Sequence, residues 1–437
     1  MRTFTILWLS HLISAIGTRI ASFAITLWVW ELTGSATALV LTGFFYKLPI
    51  VVASLFAGIV VDRASRKYLM ILSQAVVAIA ALMLLLLYQS GNLAIWHLYM
   101  AALATGGFEQ YGGLAYRASI ALLVTPFNYV RALSMTEATG YLASIVAPAI
   151  AGMLYPVLGL GGIFPINLAA VAIAIGLLSA LRLPPPIKRD ESTSDTKTKG
   201  RVSYVTVLWA EITFGLRCIS QSASLRSLIV ITTLFWAVAT LGGAIFDPMV
   251  LARSSGSAEV MGAIVTNTGF SGLGAAILVS LWGGFRSNVR GMLLGVMGAG
   301  LAGIAFGLGQ GLSVWLPAVV LVSINFPLLK GSERALLTAA APIELQGRIF
   351  AARDLINDIA EGAAMLLAGV LSDRLLEPAM QSPGLLSVLF APVFGTGAGA
   401  GMALLYVGSA IAMLLVGIVG FRTPQLRLIE KTVTVES

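Results

Sequence analysis

The sequence predicts an all-α polytopic membrane protein, with twelve transmembrane helices in two six-helix bundles and both termini in the cytoplasm. Three observations support this fold class. Of the 437 residues, 58% are hydrophobic and only 11% are charged, whereas a soluble protein carries roughly 25% charged residues. The apolar residues fall in runs of about twenty, the length that a helix needs to cross a bilayer. The Lys and Arg residues gather in the loops of one side.

Twelve candidate spans follow one another along the chain. The first six are predicted near Thr5–Glu31, Ala38–Val61, Tyr68–Tyr88, Ala94–Thr125, Arg131–Pro156 and Gly162–Leu181. The second six are predicted near Leu228–Leu251, Val260–Trp282, Gly291–Leu308, Val314–Ala341, Gly347–Ser372 and Gly399–Phe421. The first run leads directly from Met1 without a small-residue cleavage site, so we expect it to be a span and not a signal peptide.

A polar segment separates the two sets. The stretch from Pro184 to Arg201 is rich in Pro, Ser, Thr, Lys and Asp, a composition typical of a disordered linker. From Ser203 to Cys218, apolar residues recur at helical spacing among polar ones, which predicts an amphipathic helix on the membrane surface. We therefore expect an N-terminal bundle (1–183), a cytoplasmic linker (184–226) and a C-terminal bundle with a short tail (227–437).

The distribution of cationic residues predicts the orientation. If the N-terminus is cytoplasmic, only Arg253 and Arg374 fall in loops of the opposite side. Cytoplasmic loops of membrane proteins carry an excess of Lys and Arg. Both termini are therefore expected in the cytoplasm, in a multi-pass protein of the cell (inner) membrane.

The two halves also repeat. Three residues recur 217 positions later, so that Arg117, Arg131 and Gly152 correspond to Arg334, Arg348 and Gly369. The turn Gly34-Ser35-Ala36 recurs as Gly256-Ser257-Ala258. These matches favour a duplicated six-helix unit, as in many transporters.

The charged turn Gly58–Lys67 between the second and third spans carries the most specific motif. Gly58, Asp62, Arg63, Arg66 and Lys67 form the pattern Gly-x-x-x-Asp-Arg-x-x-Arg-Lys. This pattern resembles the signature loop of the major facilitator superfamily, although the superfamily usually has Gly or Ala in place of the serine at position 65.

Further segments narrow the resemblance. Leu7-Trp8, Leu32–Thr37, Leu367–Pro378 and Phe421–Glu430 are similar to the macrolide-efflux and enterobactin-exporter branch of that superfamily. The resemblance implies a proton-coupled exporter of bulky amphipathic molecules. It also implies that Asp62 contacts the start of span eleven and Arg117 in span four, which would latch the cytoplasmic side shut.

Ionisable residues within the first six spans are candidates for proton coupling or for the substrate cavity, because charge inside a bilayer is costly and usually functional. Span one holds Arg19, span two Lys47 and span four Glu109. If Glu109 lies beside Lys47 or Arg19, it could carry a proton. The alternative is a single structural ion pair.

Span eleven is the most polar helix. Asp354, Asp358 and Glu361 fall on one helical face, and three carboxylates in one confined cavity cannot all remain ionised. We expect Asp358 and Glu361 to be functional and Asp354 to pair with Arg348 or Arg353 near the first turn.

Asp247 in span seven is a further candidate. Pro248 follows it, and proline interrupts a helix. The alternative to a role in the cavity is therefore a position at the outer mouth.

Several other classes of function are excluded. A single cysteine, Cys218, rules out an internal disulfide and a zinc cluster. The chain has neither a phosphate-binding loop nor a Gly-x-Ser-x-Gly motif, so we expect no enzyme, no cofactor and no metal. Cationic residues are not interleaved with stacking aromatic residues, so we expect no nucleic-acid binding.

The remaining hypothesis is that the protein is a secondary active transporter that works by alternating access. Its expected partners are a small-molecule cargo, protons and the lipid bilayer, and the chain is expected to act as a monomer. A lysophospholipid flippase or a solute uptake carrier on the same fold remains an alternative, because fold does not fix function. A membrane enzyme or a scaffold that transports nothing is the alternative from another class.

Overall fold

The computed structural model describes residues 1–181, 204–342, 345–426 and 429, and these residues form helices and turns without a strand. The helices are α1 (Arg2–Thr33), α2 (Ala36–Arg63), α3 (Arg66–Gln89), α4 (Ile95–Leu123), α5 (Pro126–Ala180), α6 (Tyr204–Gln221), α7 (Ala223–Arg253), α8 (Ala258–Trp282), α9 (Asn288–Leu308), α10 (Leu312–Ala340), α11 (Gln346–Val370), α12 (Glu377–Gln381), α13 (Leu385–Phe394) and α14 (Ala400–Arg422). A π-helical turn, Leu371–Leu376, joins α11 to α12. The predicted disordered linker lies outside the described residues.

Ten helical stretches in the described part of the chain are long and apolar enough to cross a membrane. One of them, Phe127–Ala180, has 54 residues and contains Gly159, whose φ of 58° and ψ of −171° are not helical. Glycine adopts this backbone conformation without the steric penalty of a side chain, so α5 consists of two helices that meet at Gly159. Helix α4 has 29 residues but is not among the ten apolar stretches.

Successive long helices run in opposite directions, which gives the molecule two ends. We call the end with residues 181 and 204 the linker end, and the end with the turns before α2 and α8 the far end. The two turns at the far end have the same local structure. The side chain of Ser35 accepts a hydrogen bond from the backbone N–H of Ala38 at 3.2 Å, and that of Ser257 accepts one from Val260 at 3.2 Å. Serine is a preferred residue at a helix start because it satisfies such a free donor.

The two halves meet along α2 with α11 and along α5 with α8. At the far end these pairs approach closely through glycine. A Cβ atom on Gly152 would lie 3.0 Å from the Ala258 carbonyl oxygen and 3.2 Å from Gly262 Cα. A Cβ atom on Gly369 would lie 2.9 Å from Thr37 Cα. Small residues allow helices in a membrane to pack at this distance, so the halves are in tight contact at the far end.

One local expectation needs correction, and the surroundings of a second predicted element can be described. Helix α7 continues past Pro248 to Arg253, so the proline removes one hydrogen bond without ending the helix. The amphipathic helix α6 packs on α11, because Ile212 and Ile219 are buried and a Cβ atom on Gly215 would lie only 2.4 Å from the Arg348 carbonyl oxygen. One face of α6 is therefore covered by protein.

Candidate functional site

A cavity of about 550 Å³ lies between the two halves. Its walls come from α1 to α5 on one side and from α7 and α11 on the other. Most of the lining is apolar, including Leu39, Val77, Leu84, Leu98, Phe164 and Met365. An apolar cavity with a few polar groups suits a ligand that is itself amphipathic.

Three of the predicted site residues line this central cavity. Arg19 and Glu109 reach it from the N-terminal half and Asp247 from the C-terminal half. In the described part of the chain, neither Arg19 nor Asp247 forms an ion pair within 4.0 Å. Asp247 therefore lines the central cavity, and its role there remains a prediction.

Glu109 is held by a tyrosine. The Tyr46 hydroxyl donates a hydrogen bond of 2.5 Å to Glu109 Oε2. Glu109 was expected beside Lys47 or Arg19. The contact with Lys47 is not formed, because neighbouring residues on a helix point in different directions, whereas Arg19 lines the same cavity as Glu109. Tyr46 therefore faces α4, and Lys47 points elsewhere.

Lys47 connects the two halves. Its ammonium group lies 2.5 Å from Glu361 Oε2 and 3.7 Å from Asp358 Oδ1. These side chains are 31%, 20% and 29% exposed, so solvent screens the interaction less than it would screen a pair at the surface. The structure thus brings together three of the predicted residues, two of them carboxylates on α11, in one cluster across the interface.

The remaining carboxylate of the α11 face belongs to a separate network inside the C-terminal half. Asp354 accepts a hydrogen bond of 2.9 Å from Arg353, in agreement with the expectation. Arg353 also forms an ion pair with Glu333, which is 4% exposed and accepts a hydrogen bond of 3.0 Å from Trp236 Nε1. Because these groups satisfy one another, the network joins α7, α10 and α11 within one half.

A further contact across the halves was missed from the sequence. Asp373, in the turn after α11, accepts hydrogen bonds from the Ser35 hydroxyl at 2.7 Å and from the backbone N–H groups of Ala36 at 3.1 Å and Thr37 at 2.8 Å. Asp373 therefore caps the start of α2 from the other half, where the helix dipole favours an anion. Two features of the sequence could have predicted this contact. Asp373 is an acidic residue at the end of a predicted span, and the Gly-Ser turn before α2 is expected at the same end of the molecule.

The charged turn between α2 and α3 is only partly described. Gly58, Asp62 and Arg63 lie outside the residues whose side chains the structure describes, so the expected contact of Asp62 with α11 and Arg117 remains a prediction. Arg66 donates a hydrogen bond of 3.2 Å to the Ala118 carbonyl. Lys67 donates bonds of 2.6 and 2.7 Å to the carbonyls of Ser179 and Leu181, where a cation complements the helix dipole.

Two further cavities lie towards the linker end, one in each half. The cavity in the N-terminal half has a volume of about 440 Å³ and includes His11, Gln74 and Arg117 in its lining. The cavity in the C-terminal half has a volume of about 480 Å³ and surrounds the Glu333 network. In the described part of the chain, no group of three or more His, Cys, Asp or Glu side chains could hold a metal ion.

A bundle of apolar helices with a cavity between its two halves is the architecture of a membrane transport protein. Comparison with known sequences gives the family. The model of the Major Facilitator Superfamily matches residues 7–365, so the chain belongs to this superfamily of transporters.

Two characterised relatives are efflux proteins. Macrolide efflux protein A of Streptococcus pyogenes is 23% identical over 376 residues, which cover 85% of this chain and 90% of the relative. Enterobactin exporter EntS of Escherichia coli is 26% identical over 432 residues, covering 96% of this chain and 93% of the relative.

Solved structures agree in fold. The nucleoside transporter NupG superposes with a TM-score of 0.69 at 13% identity, covering 97% of this chain and 100% of NupG. A bacterial homologue of the human lysosomal transporter Spinster, in an inward-facing unoccupied conformation, gives a TM-score of 0.65 at 14% identity and covers 99% of this chain and 97% of that one.

Proposed function

We propose that this chain is a secondary active exporter that moves amphipathic small molecules out of the cell in exchange for protons. The observation that carries the proposal is the cluster of Lys47, Asp358 and Glu361 across the two halves, beside a cavity that both halves line. A site between two halves that move against each other is what alternating access requires.

The proposed topology has twelve spans. Helix α4 and the division of α5 at Gly159 add two spans to the ten apolar stretches. The excess of Lys and Arg supports a cytoplasmic location for the linker end and both termini. Residues 1–183 and 227–437 then form the two bundles, with 184–226 as the cytoplasmic linker.

The state of the structure follows from this topology. The close glycine contacts and the Asp373 cap lie at the far end, and each half has its own cavity towards the linker end. We therefore assign the structure to the inward-facing state, closed to the outside. In the outward-facing state, the charged turn with Asp62 is proposed to latch the linker end.

Proton coupling rests on the cost of separating charges. When the far end opens, α2 moves away from α11 and Lys47 leaves Glu361 and Asp358. Unpaired carboxylates inside a membrane are unfavourable, so these groups bind protons from outside as their partner departs. Return to the inward-facing state restores Lys47 and releases the protons to the cytoplasm. Glu109, bound to Tyr46 in the cavity wall, is the second proposed proton carrier.

The names of the two relatives support export and the nature of the cargo. One acts on macrolides and the other on enterobactin, and both names describe movement out of the cell. A lysophospholipid flippase or an uptake carrier is the alternative on this fold, and neither explains why the named relatives are efflux proteins. The proposed transport unit is the monomer.

Efflux from cells that express the protein tests this function. The cells are loaded with a macrolide, enterobactin, a cationic dye or a labelled lysophospholipid, and efflux is measured with and without a protonophore. We expect efflux of at least one amphipathic compound that stops when the protonophore is added. Efflux that continues without a proton gradient contradicts proton coupling, and movement of the lysophospholipid alone favours the flippase.

A further inference from the structure

The cavity in the N-terminal half lies within one bundle, and about half of its lining is polar. It contains His11 and Ser14 from α1, Gln74 from α3, and Tyr116 and Arg117 from α4. The Ser14 hydroxyl donates a hydrogen bond of 2.6 Å to Gln74 Oε1, and the His11 ring stacks on Tyr116 with 4.4 Å between centroids. Such a polar space of about 440 Å³ is suited to water.

This cavity shares a wall with the central cavity. Thr18, Arg19, Tyr46 and Glu109 line both spaces, and the hydrogen bond from Tyr46 to Glu109 lies in that wall. The central cavity is mostly apolar and extends into the C-terminal half. Glu109 therefore separates an apolar space between the halves from a polar space inside one half.

The charged and titratable groups around Glu109 come from several helices. Helix α1 supplies Arg19 and His11, α2 supplies Tyr46, and α4 itself supplies Tyr116 and Arg117. Helix α3 contributes the uncharged Gln74. The groups between Glu109 and the linker end thus offer both donors and acceptors of hydrogen bonds.

We infer that the cavity in the N-terminal half is the route by which Glu109 exchanges protons with the linker side, while cargo occupies the central cavity. This inference rests on the proposed role of Glu109 as a proton carrier. A bulky apolar cargo excludes water from the central cavity, whereas the polar cavity keeps a chain of hydrogen bonds to Glu109. His11, Ser14 and Gln74 are the positioning residues of this chain. A proton leaves Glu109 towards the linker end as hydronium in this water, so only O–H bonds break and form.

The experiment measures protonation of Glu109 without any cargo. The full-length protein in lipid nanodiscs is subjected to a rapid pH jump, and the infrared band of the protonated carboxyl group is followed in time. The band is assigned to Glu109 by its loss in Glu109→Gln. Gln74→Leu and Ser14→Ala interrupt the polar cavity, and Thr105→Val is the matched control because Thr105 lines only the central cavity.

We expect Gln74→Leu and Ser14→Ala to slow protonation by about tenfold, the kinetic equivalent of losing one hydrogen bond along the route. The final amplitude at each pH should stay unchanged, because the equilibrium of Glu109 is not altered. Thr105→Val should protonate at the wild-type rate.

The inference would be overturned if Glu109 is protonated at the wild-type rate in both Gln74→Leu and Ser14→Ala, or if Thr105→Val slows protonation equally. If the Glu109 band never appears, Glu109 is not a proton carrier and the inference falls with that role. If the band behaves as expected but transport does not depend on the proton gradient, the proposed function is wrong and the proposed proton route is still supported.

Discussion

The carboxylate of Asp373 and the hydroxyl of Ser35 are joined by a hydrogen bond of 2.7 Å, although the two residues belong to opposite halves of the protein. Asp373 also accepts bonds from the backbone N–H groups of Ala36 and Thr37, so one side chain satisfies donors at the start of α2. Asp62 is proposed to act in the same way at the linker end, at the start of α11. Each end of the protein would then be closed, in one of the two states, by an anion at a helix start.

Loss of the Asp373 carboxylate should open the far end. Hydrogen bonds to a charged group contribute about 1.5–3 kcal/mol, so Asp373→Ala should raise the population that is open to the outside by about tenfold or more. The measurement uses Thr26→Cys in the central cavity, combined with Cys218→Ser, and labelling by an impermeant maleimide from outside. The control is Asp354→Asn, whose side chain is 63% exposed and pairs with the adjacent Arg353. Equal labelling of Asp373→Ala and the control would contradict the closing role.

A substitution at Gly152 tests whether close helix packing also keeps the far end closed. A Cβ atom there would collide with α8, and overpacking costs about 1–3 kcal/mol, so Gly152→Val should also increase labelling from outside and reduce transport. Gly140→Val is the matched control, because Gly140 lies on the same helix with nothing within 4 Å of an added Cβ atom. Should both variants transport normally, the tight contact at Gly152 is not needed for closure.

Most of the candidate residues could be predicted from the sequence, but their partners could not. The periodicity of α11 placed Asp358 and Glu361 on one face, since helical spacing is a local property. The partner Lys47 lies in the other half, and no local pattern reports which face of α2 it occupies. The same limit explains why Glu109 was expected beside Lys47 or Arg19, and why its hydrogen bond from Tyr46 was not predicted.

The fold was predictable for a related reason. The length and apolarity of a span are local and set by the bilayer, and the bend at Gly159 falls between two predicted spans. Asp373 was missed because a charge at a span end is ordinary in a loop, and its meaning depends on the turn of α2 that lies opposite. Close approach at Gly152 and Gly369 likewise depends on which helices meet.

The ion pair between Lys47 and Glu361 should behave as a coupled unit. Replacing only Lys47 leaves two carboxylates without a cation, so Lys47→Gln should destabilise the protein more than the double variant Lys47→Gln with Glu361→Gln. We expect a coupling energy of about 0.5–3 kcal/mol in a double-mutant cycle on thermal unfolding in detergent. Additive effects would show that the pair contributes nothing to the closed state.

Glu109→Gln should impair transport driven by a pH gradient but not transport down a cargo gradient. The amide keeps a hydrogen bond to Tyr46 but cannot bind and release a proton. We expect transport down a cargo gradient to persist and transport driven by a pH gradient to fall by about tenfold or more, as for loss of a proton-transfer group. The measurement compares both modes in proteoliposomes, with Gln110→Glu as a control for added charge nearby. Equal loss of both modes would indicate a structural role for Glu109.

The central claim is that cargo and protons move in opposite directions through the same transporter. The direct measurement imposes only a cargo gradient on proteoliposomes, using a compound exported by cells, and records the internal pH with a trapped indicator. The account predicts that cargo leaving the vesicles drives protons inwards and acidifies the lumen, and that Glu361→Gln with Glu109→Gln abolishes this change. Cargo movement at the wild-type rate with no change of internal pH would contradict it.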